Sequence, residues 1–104
     1  MKGIVYYNDT RAGTIEQTDN GYRFQYDGAY IADGQSKPVS HTLPLQPGPY
    51  TSKTMFAFFD GLIPEGWLLD VAVETWKINP ADRMTLLLTV CRDCIGAVKI
   101  INEA

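Results

Sequence analysis

Phe58-Phe59-Asp60-Gly61-Leu62-Ile63-Pro64-Glu65-Gly66-Trp67 divides a chain of 104 residues into two parts of different character. Before it lie short alternating segments of strand type. After it lie two helical patterns and a last strand-like run. Gly61 and the Pro64-Glu65-Gly66 triplet interrupt large apolar residues and mark a sharp turn between packed elements. Glycine at 61 and 66 permits close backbone approach, and Pro64 has the fixed φ suited to the first turn of a following helix. The bland reading is a helix–loop–helix corner in which most of these side chains serve packing. Upstream, Met55, Phe56, Phe58, Phe59, Leu62 and Ile63 recur at helical spacings, which predicts a helix over 54–63.

Downstream, a second helix is predicted over 64–77. At 100° per residue, Leu68, Leu69, Val71, Ala72, Val73 and Trp76 form a broad apolar sector, with Asp70 and Glu74 on the polar face. Trp76 belongs to the buried side. Trp67 falls on the flank of the polar face, where an indole is either covered by the preceding loop or exposed. Exposed, it is a candidate anchor for a partner, because tryptophan is enriched among interface hot spots. A third helix, 80–92, opens on Asn79-Pro80 as N-cap and first helical residue. Met84, Leu87, Leu88 and Cys91 give it an apolar stripe.

The N-terminal part reads as a three-stranded meander. Residues 2–8 and 12–18 form two strands around an Asn8-Asp9-Thr10-Arg11 turn. Asp19-Asn20-Gly21 is the strongest turn signal, because Asn-Gly accepts the positive φ angles of a tight hairpin. Tyr22-Arg23-Phe24-Gln25-Tyr26 then alternates strictly, rings on one face and polar groups on the other. Between Gly28 and Gly34 the pattern is ambiguous, with one helical turn the reading for Ala29-Tyr30-Ile31-Ala32. Residues 39–43 return to strand-like alternation. Leu43-Pro44-Leu45-Gln46-Pro47-Gly48-Pro49-Tyr50 is a proline-rich connector that cannot continue a central ladder; packing against the domain explains it more simply than a polyproline ligand role. Residues 97–101 are a final strand expected to join the sheet. The fold class is therefore α+β: a small antiparallel sheet, meander plus C-terminal strand, packed by about three helices in one domain over 1–104.

Composition narrows the function. Nine Lys and Arg against twelve Asp and Glu leave a net charge of −3 with His41 neutral. This speaks against a direct grip on nucleic acid or on an anionic membrane, since both call for clustered basic residues. No apolar run approaches the ~18 residues of a membrane span, and the N-terminus lacks a signal-peptide pattern; a cytoplasmic protein is the expectation. Cys91 and Cys94 stand as C-x-x-C. His41 is the one histidine, and no second cysteine pair completes a zinc site. The motif also falls at the end of a helical pattern, where the dipole disfavours a thiolate. Two free thiols are the simple reading, with a thiol enzyme as the weaker alternative. His41 has no recognisable triad partner. Asp60 and Glu65 form a carboxylate pair, yet a helix-start role for Glu65 is simpler than acid–base chemistry. No phosphate-binding glycine loop or kinase catalytic element is present. The sequence points to no catalytic residue, cofactor or metal.

An ordered set of short motifs resembles the N-terminal subdomain of the HipA-type toxin kinases. These are Gly13-Thr14-Ile15, Phe24-Gln25-Tyr26-Asp27, Ser40-His41-Thr42-Leu43-Pro44-Leu45, the Phe58-to-Gly66 block, and Asp93-Cys94-Ile95-Gly96-Ala97-Val98. Because the sequence stops where the kinase body of that family begins, it is similar to the stand-alone HipS-type subunits of HipBST modules. The resemblance implies an antitoxin that binds a separate HipT-like Ser/Thr kinase, with a HipB-like helix-turn-helix DNA-binding protein in a ternary complex. For such a subunit, the flank position of Trp67 and the turn before it make Trp67, Gly66, Glu65, Pro64, Phe59 and Asp60 the expected kinase contact. A non-inhibitory subunit that completes the kinase fold, or links it to the DNA-binding protein, is the alternative. Two positions depart from the kinase-fused pattern. Trp67 stands where a polar or smaller residue is common, and Val90-Cys91 stands where a glycine often precedes the last motif.

Overall fold

The computed structural model describes residues 1–63, 74, 82–90 and 97–103. β1 (Lys2–Tyr7) lies between β2 (Thr10–Thr18) and β5 (Val98–Asn102), antiparallel to both. β3 (Gly21–Tyr26) pairs with β2, and a short β4 (Tyr50–Ser52) pairs with β3. The sheet order is β4-β3-β2-β1-β5. Three described helices, α1 (Gly28–Ala32), α2 (Ala57–Asp60) and α3 (Arg83–Val90), complete the α+β fold. The expected meander and the docking of the last strand are both present, and that strand joins β1, closing the first and last segments of the chain together. Lys2 accepts a backbone bond from Glu103 at 2.9 Å, and the two side chains approach to 3.7 Å.

One face of the sheet carries the core. Val5, Ile15, Phe24, Tyr26, Val98 and Ile100 alternate inward along their strands and are buried beneath Met55, Phe59, Ile63, Met84, Leu87 and Leu88. α3 packs on β5, and its Leu88 reaches over β1. A Cβ at Gly3 would lie 2.6 Å from a Leu88 methyl, so the absent side chain is what lets the helix approach. A register shift between Val5 and Tyr6 leaves Ala12 as an extra residue on β2. This bulge turns both Ala12 and Gly13 inward, departing from strict alternation.

Several sequence expectations change in detail. Residues 39–43 do not form a strand. They close on themselves through a Ser40–Leu43 bridge, and the fourth strand is Tyr50–Ser52 instead. Pro49 explains this: a proline immediately before a strand costs no ladder bond, whereas Pro44 and Pro47 block pairing earlier. The helix expected over 54–63 contracts to Ala57–Asp60, followed by single-turn bonds as far as Ile63. α3 starts at Arg83, not at residue 80. Asp82 caps it, its carboxylate accepting the Thr85 N–H at 3.1 Å and the Thr85 hydroxyl at 2.7 Å. The helix expected over 64–77 lies outside the described residues except for Glu74, which is helical and exposed as its polar-face assignment requires.

The turn chemistry is redistributed too. Asn8 and Asp9 both take left-handed φ, 48° and 67°, as the two central residues of a tight hairpin between Tyr7 and Thr10. At the second hairpin the positive φ belongs not to Asn20 but to Gly21, at 141°. A Cβ there would also meet the Ser52 carbonyl oxygen of β4 at 2.1 Å. Gly21→Ala should thus destabilise the fold by about 2–3 kcal/mol, through strain and overlap together. Gly28→Ala, whose Cβ would meet nothing within 4 Å, should change stability by no more than about 0.5 kcal/mol. Urea-denaturation midpoints of the two variants provide the comparison.

Candidate functional site

The central turn is held from beneath by an aromatic cluster. The Phe59 ring is fully buried, 5.2 Å from the ring of Phe24 on β3 and 5.2 Å from Phe58, with Phe56 at 6.1 Å. Offset and edge contacts of this kind add to the area that each ring buries. Ile63, four residues on, is 2% exposed. Phe59 and Ile63 therefore face the core together, while Gly61 is exposed and Phe58 and Leu62 are half-buried. Asp60 sits beside them on the outside. Its carboxylate accepts the Arg83 Nε–H at 2.6 Å and so links α2 to the first turn of α3. Arg83, 23 residues away in the chain, was not legible from spacing.

Of the six residues that the sequence marks for partner contact, two are described. Phe59 lies in the core and supports the turn from below. Asp60 is half-exposed and already holds an intramolecular ion pair. Pro64, Glu65, Gly66 and Trp67 lie outside the described residues, as do Trp76, Cys91 and Cys94. What the structure fixes is the launch point: two buried apolar side chains and one ion pair anchor residues 59–63, from which the Pro-Glu-Gly-Trp segment continues. Glu65, the second member of the Asp60–Glu65 carboxylate pair, is outside the described residues. Among the described residues, no three His, Cys, Asp or Glu side chains gather as a metal site.

A second built region is the connector between α1 and β4. Three tyrosine hydroxyls clamp its backbone. Tyr26 donates to the Leu43 carbonyl and accepts the Val39 N–H at 3.0 Å. Tyr30 donates to Lys37 O at 2.5 Å, and Tyr50 donates to Pro44 O at 2.6 Å. The Gln25 side-chain amide reaches Pro47 O at 3.3 Å. The tyrosines come from β3, α1 and β4, and the rings of Tyr26 and Tyr30 stack in parallel with centroids 5.9 Å apart. This arrangement gives the Ser40-to-Leu45 motif a structural task. Val39 and Leu43 enter the core, and Ser40 Oγ accepts the Thr42 N–H at 3.2 Å to close the turn. His41 projects from that turn, exposed. Alternation on β3 revealed the rings, but not the hydroxyl partners, which lie in a loop without periodicity.

The same geometry sets the protonation of Tyr26 and Tyr30. Burial pushes Tyr26 from its ordinary 10.0 up to about 12, and burial likewise raises Tyr30. A buried phenolate would lie among apolar side chains and beside a carbonyl oxygen, so the neutral form is favoured.

An antiparallel sheet with one helix-covered face, a buried aromatic cluster and a clamped connector together define a small α+β domain. Comparison with known proteins gives it a family. The chain matches the HipA N-terminal domain over residues 3–101, and it belongs to that family. An uncharacterized protein of Haemophilus influenzae strain Rd is 31% identical over 101 residues, covering 97% of this chain and 92% of that protein. The putative kinase Y4mE of Sinorhizobium fredii is 28% identical over 95% of this chain, which spans only 24% of that protein. Among solved structures, the N-terminal domain of HipA toxin superposes with a TM-score of 0.74 and 27% identity, covering 99% of this chain and 92% of that one. The Shewanella oneidensis complex of HipA, HipB and operator DNA contains a chain that superposes at 0.77 with 19% identity. It covers 98% of this chain and 24% of that one, and the likeness is one of fold.

Tyr26→Phe should cost about 1–3 kcal/mol for each buried backbone group left unpaired, Val39 N–H and Leu43 C=O. The variant also has a pH signature. Below pH 10 Tyr26 is protonated in folded and unfolded chains alike. Between about pH 10 and 12 the unfolded chain ionises first, so the native protein loses stability as pH rises. Tyr26→Phe removes that component, and stability measured from pH 8 to 12 should show a shallower alkaline decline than the wild type.

Proposed function

We propose that this protein is the non-enzymatic binding subunit of a toxin–antitoxin module, acting as an antitoxin that docks on a separate HipT-like Ser/Thr kinase and inhibits it. Membership of the HipA N-terminal domain family places the chain in a toxin–antitoxin-related group. The observation that carries the finer reading is one of proportion. The same domain makes up about a quarter of a putative kinase and is matched along nearly the whole of the small Haemophilus relative. A domain found both within a kinase and with little beside it is suited to act on a kinase in trans.

The inhibitory element is the segment 64–67. Residues 59–63 are anchored in the core; on this reading Pro64-Glu65-Gly66 sets the direction of Trp67, whose indole enters near the kinase active-site cleft and obstructs nucleotide or substrate placement. Asp60 and its Arg83 partner stiffen the base of this projection, and Phe59 supports it from within. A HipB-like DNA-binding protein is the third member of the assembly; the Shewanella neighbour is itself a complex of a HipA with a HipB and operator DNA. The net charge of −3 fits contact with DNA through such a partner rather than directly.

Trp67→Ala should weaken neutralisation of the matching kinase about 30-fold to 1000-fold, the equivalent of about 2–4 kcal/mol for a buried interfacial tryptophan. The measurement is kinase phosphorylation against added subunit, with circular dichroism confirming that the variant is folded. Full inhibition by a folded Trp67→Ala protein rejects the plug. Stimulation of the kinase by the wild type marks a scaffolding subunit instead.

A further inference from the structure

The two edges of the sheet are built differently. β4 is three residues long, follows Pro47-Gly48-Pro49 and is followed by the exposed Lys53. Short length, proline and lysine are the usual guards of an exposed edge. β5 is five residues long and contains no proline. Its one lysine is turned away from the edge: Lys99 Nζ lies 2.9 Å from Asp9 and 5.5 Å from the Tyr6 ring centroid, over β1.

The ladder shows which backbone groups this edge leaves open. Asn8 N–H bonds to Ala97 O, and Glu103 N–H bonds to Lys2 O. With the β1–β5 register of Gly3↔Asn102 through Tyr7↔Val98, antiparallel alternation turns residues 97, 99, 101 and 103 toward β1. Val98, Ile100 and Asn102 therefore aim their N–H and C=O groups away from the sheet, and among the described residues nothing pairs with them.

We infer that this open edge of β5 is a docking strand for an extended segment of the partner kinase, a proposal that rests on the kinase-binding function above. Two observations select this occupant. The family is one of N-terminal domains, so in a longer member such as the putative kinase of S. fredii the remaining polypeptide leaves from the end of the strand equivalent to β5. That polypeptide is tethered beside this edge. Size is the second argument. A five-residue edge, roughly 17 Å long, falls well short of the ~800 Å² per partner of a stable interface. It suits a partner that also touches the protein elsewhere, as the kinase does at the 58–67 turn, rather than a second copy held by the edge alone. The incoming strand bonds to Val98, Ile100 and Asn102. On the helix-covered side it places apolar residues next to Val98 and Ile100, both buried. On the other side it places polar residues beside Lys99.

Residue-resolved hydrogen exchange of the full-length protein, free and with its HipT-like kinase, tests this. The Val98, Ile100 and Asn102 amides should exchange at least ten times more slowly in the complex. Asn102→Pro removes an outward N–H without touching the bonds to β1 and should weaken kinase binding about tenfold or more. Asn102→Ala, which keeps that N–H, should bind within twofold of wild type. A complex in which the three amides exchange as in the free chain overturns the edge inference and leaves the kinase-binding function standing. So does protection that arises without kinase and grows with protein concentration, the mark of a second copy. No binding by the wild type overturns the kinase-binding function itself.

Discussion

The ring of Phe24 is the contact on which the remainder of the structure turns. It is fully buried at the centre of β3, with Tyr26 edge-on at 4.8 Å, Tyr50 of the edge strand stacked at 6.5 Å and Phe59 of the central turn at 5.2 Å. One side chain thus joins meander, edge strand and helical half. The chain between Ala32 and Tyr50 contains no regular element, so its order comes from the tyrosines flanking that ring. Close-packed aromatic interiors transmit displacement rather than absorb it, which couples the position of the 59–63 turn to the state of the sheet.

Legibility followed periodicity. Alternation at Tyr22-Arg23-Phe24-Gln25-Tyr26 and the β-branched run at the C-terminus were enough to find β3 and β5, because a half-buried strand writes its environment into every second residue. The Met84-Leu87-Leu88 stripe located α3 for the same reason. The strand at Tyr50–Ser52 was missed because three residues are too few to show a period. The connector was misread at 39–43 because its order comes from hydroxyls on distant elements. Strand order, too, is a matter of long-range pairing that local patterns do not encode. At the central turn, the sequence singled out the apolar block and its glycines. It could not separate the face of Phe59, which points inward, from that of Asp60, which points outward and meets an arginine 23 residues later.

The sheet and the connector divide the work between them. One sheet face is committed to the core. The connector is fastened at Leu43, Lys37 and Pro44 by three phenol groups, and burial favours the neutral form of the two that hold Leu43 and Lys37. The central turn at 59–63 and the strand that finishes the sheet lie at the two margins of this arrangement. A rigid frame of this kind would lose little conformational freedom on binding.

Lys2 and Glu103 stand side by side, because the first and last strands are neighbours. A domain whose two ends meet at one point on its surface can be attached to another protein, or detached from it, by a change confined to a single short junction. No core residue has to adapt when the gene is joined or split. That property makes it physically simple for one sequence family to supply nearly the whole of a small protein in one bacterium and a quarter of a putative kinase in another. Fusion and separation become regulatory choices, trading the enforced proximity of a single polypeptide for a dose that the cell can set independently.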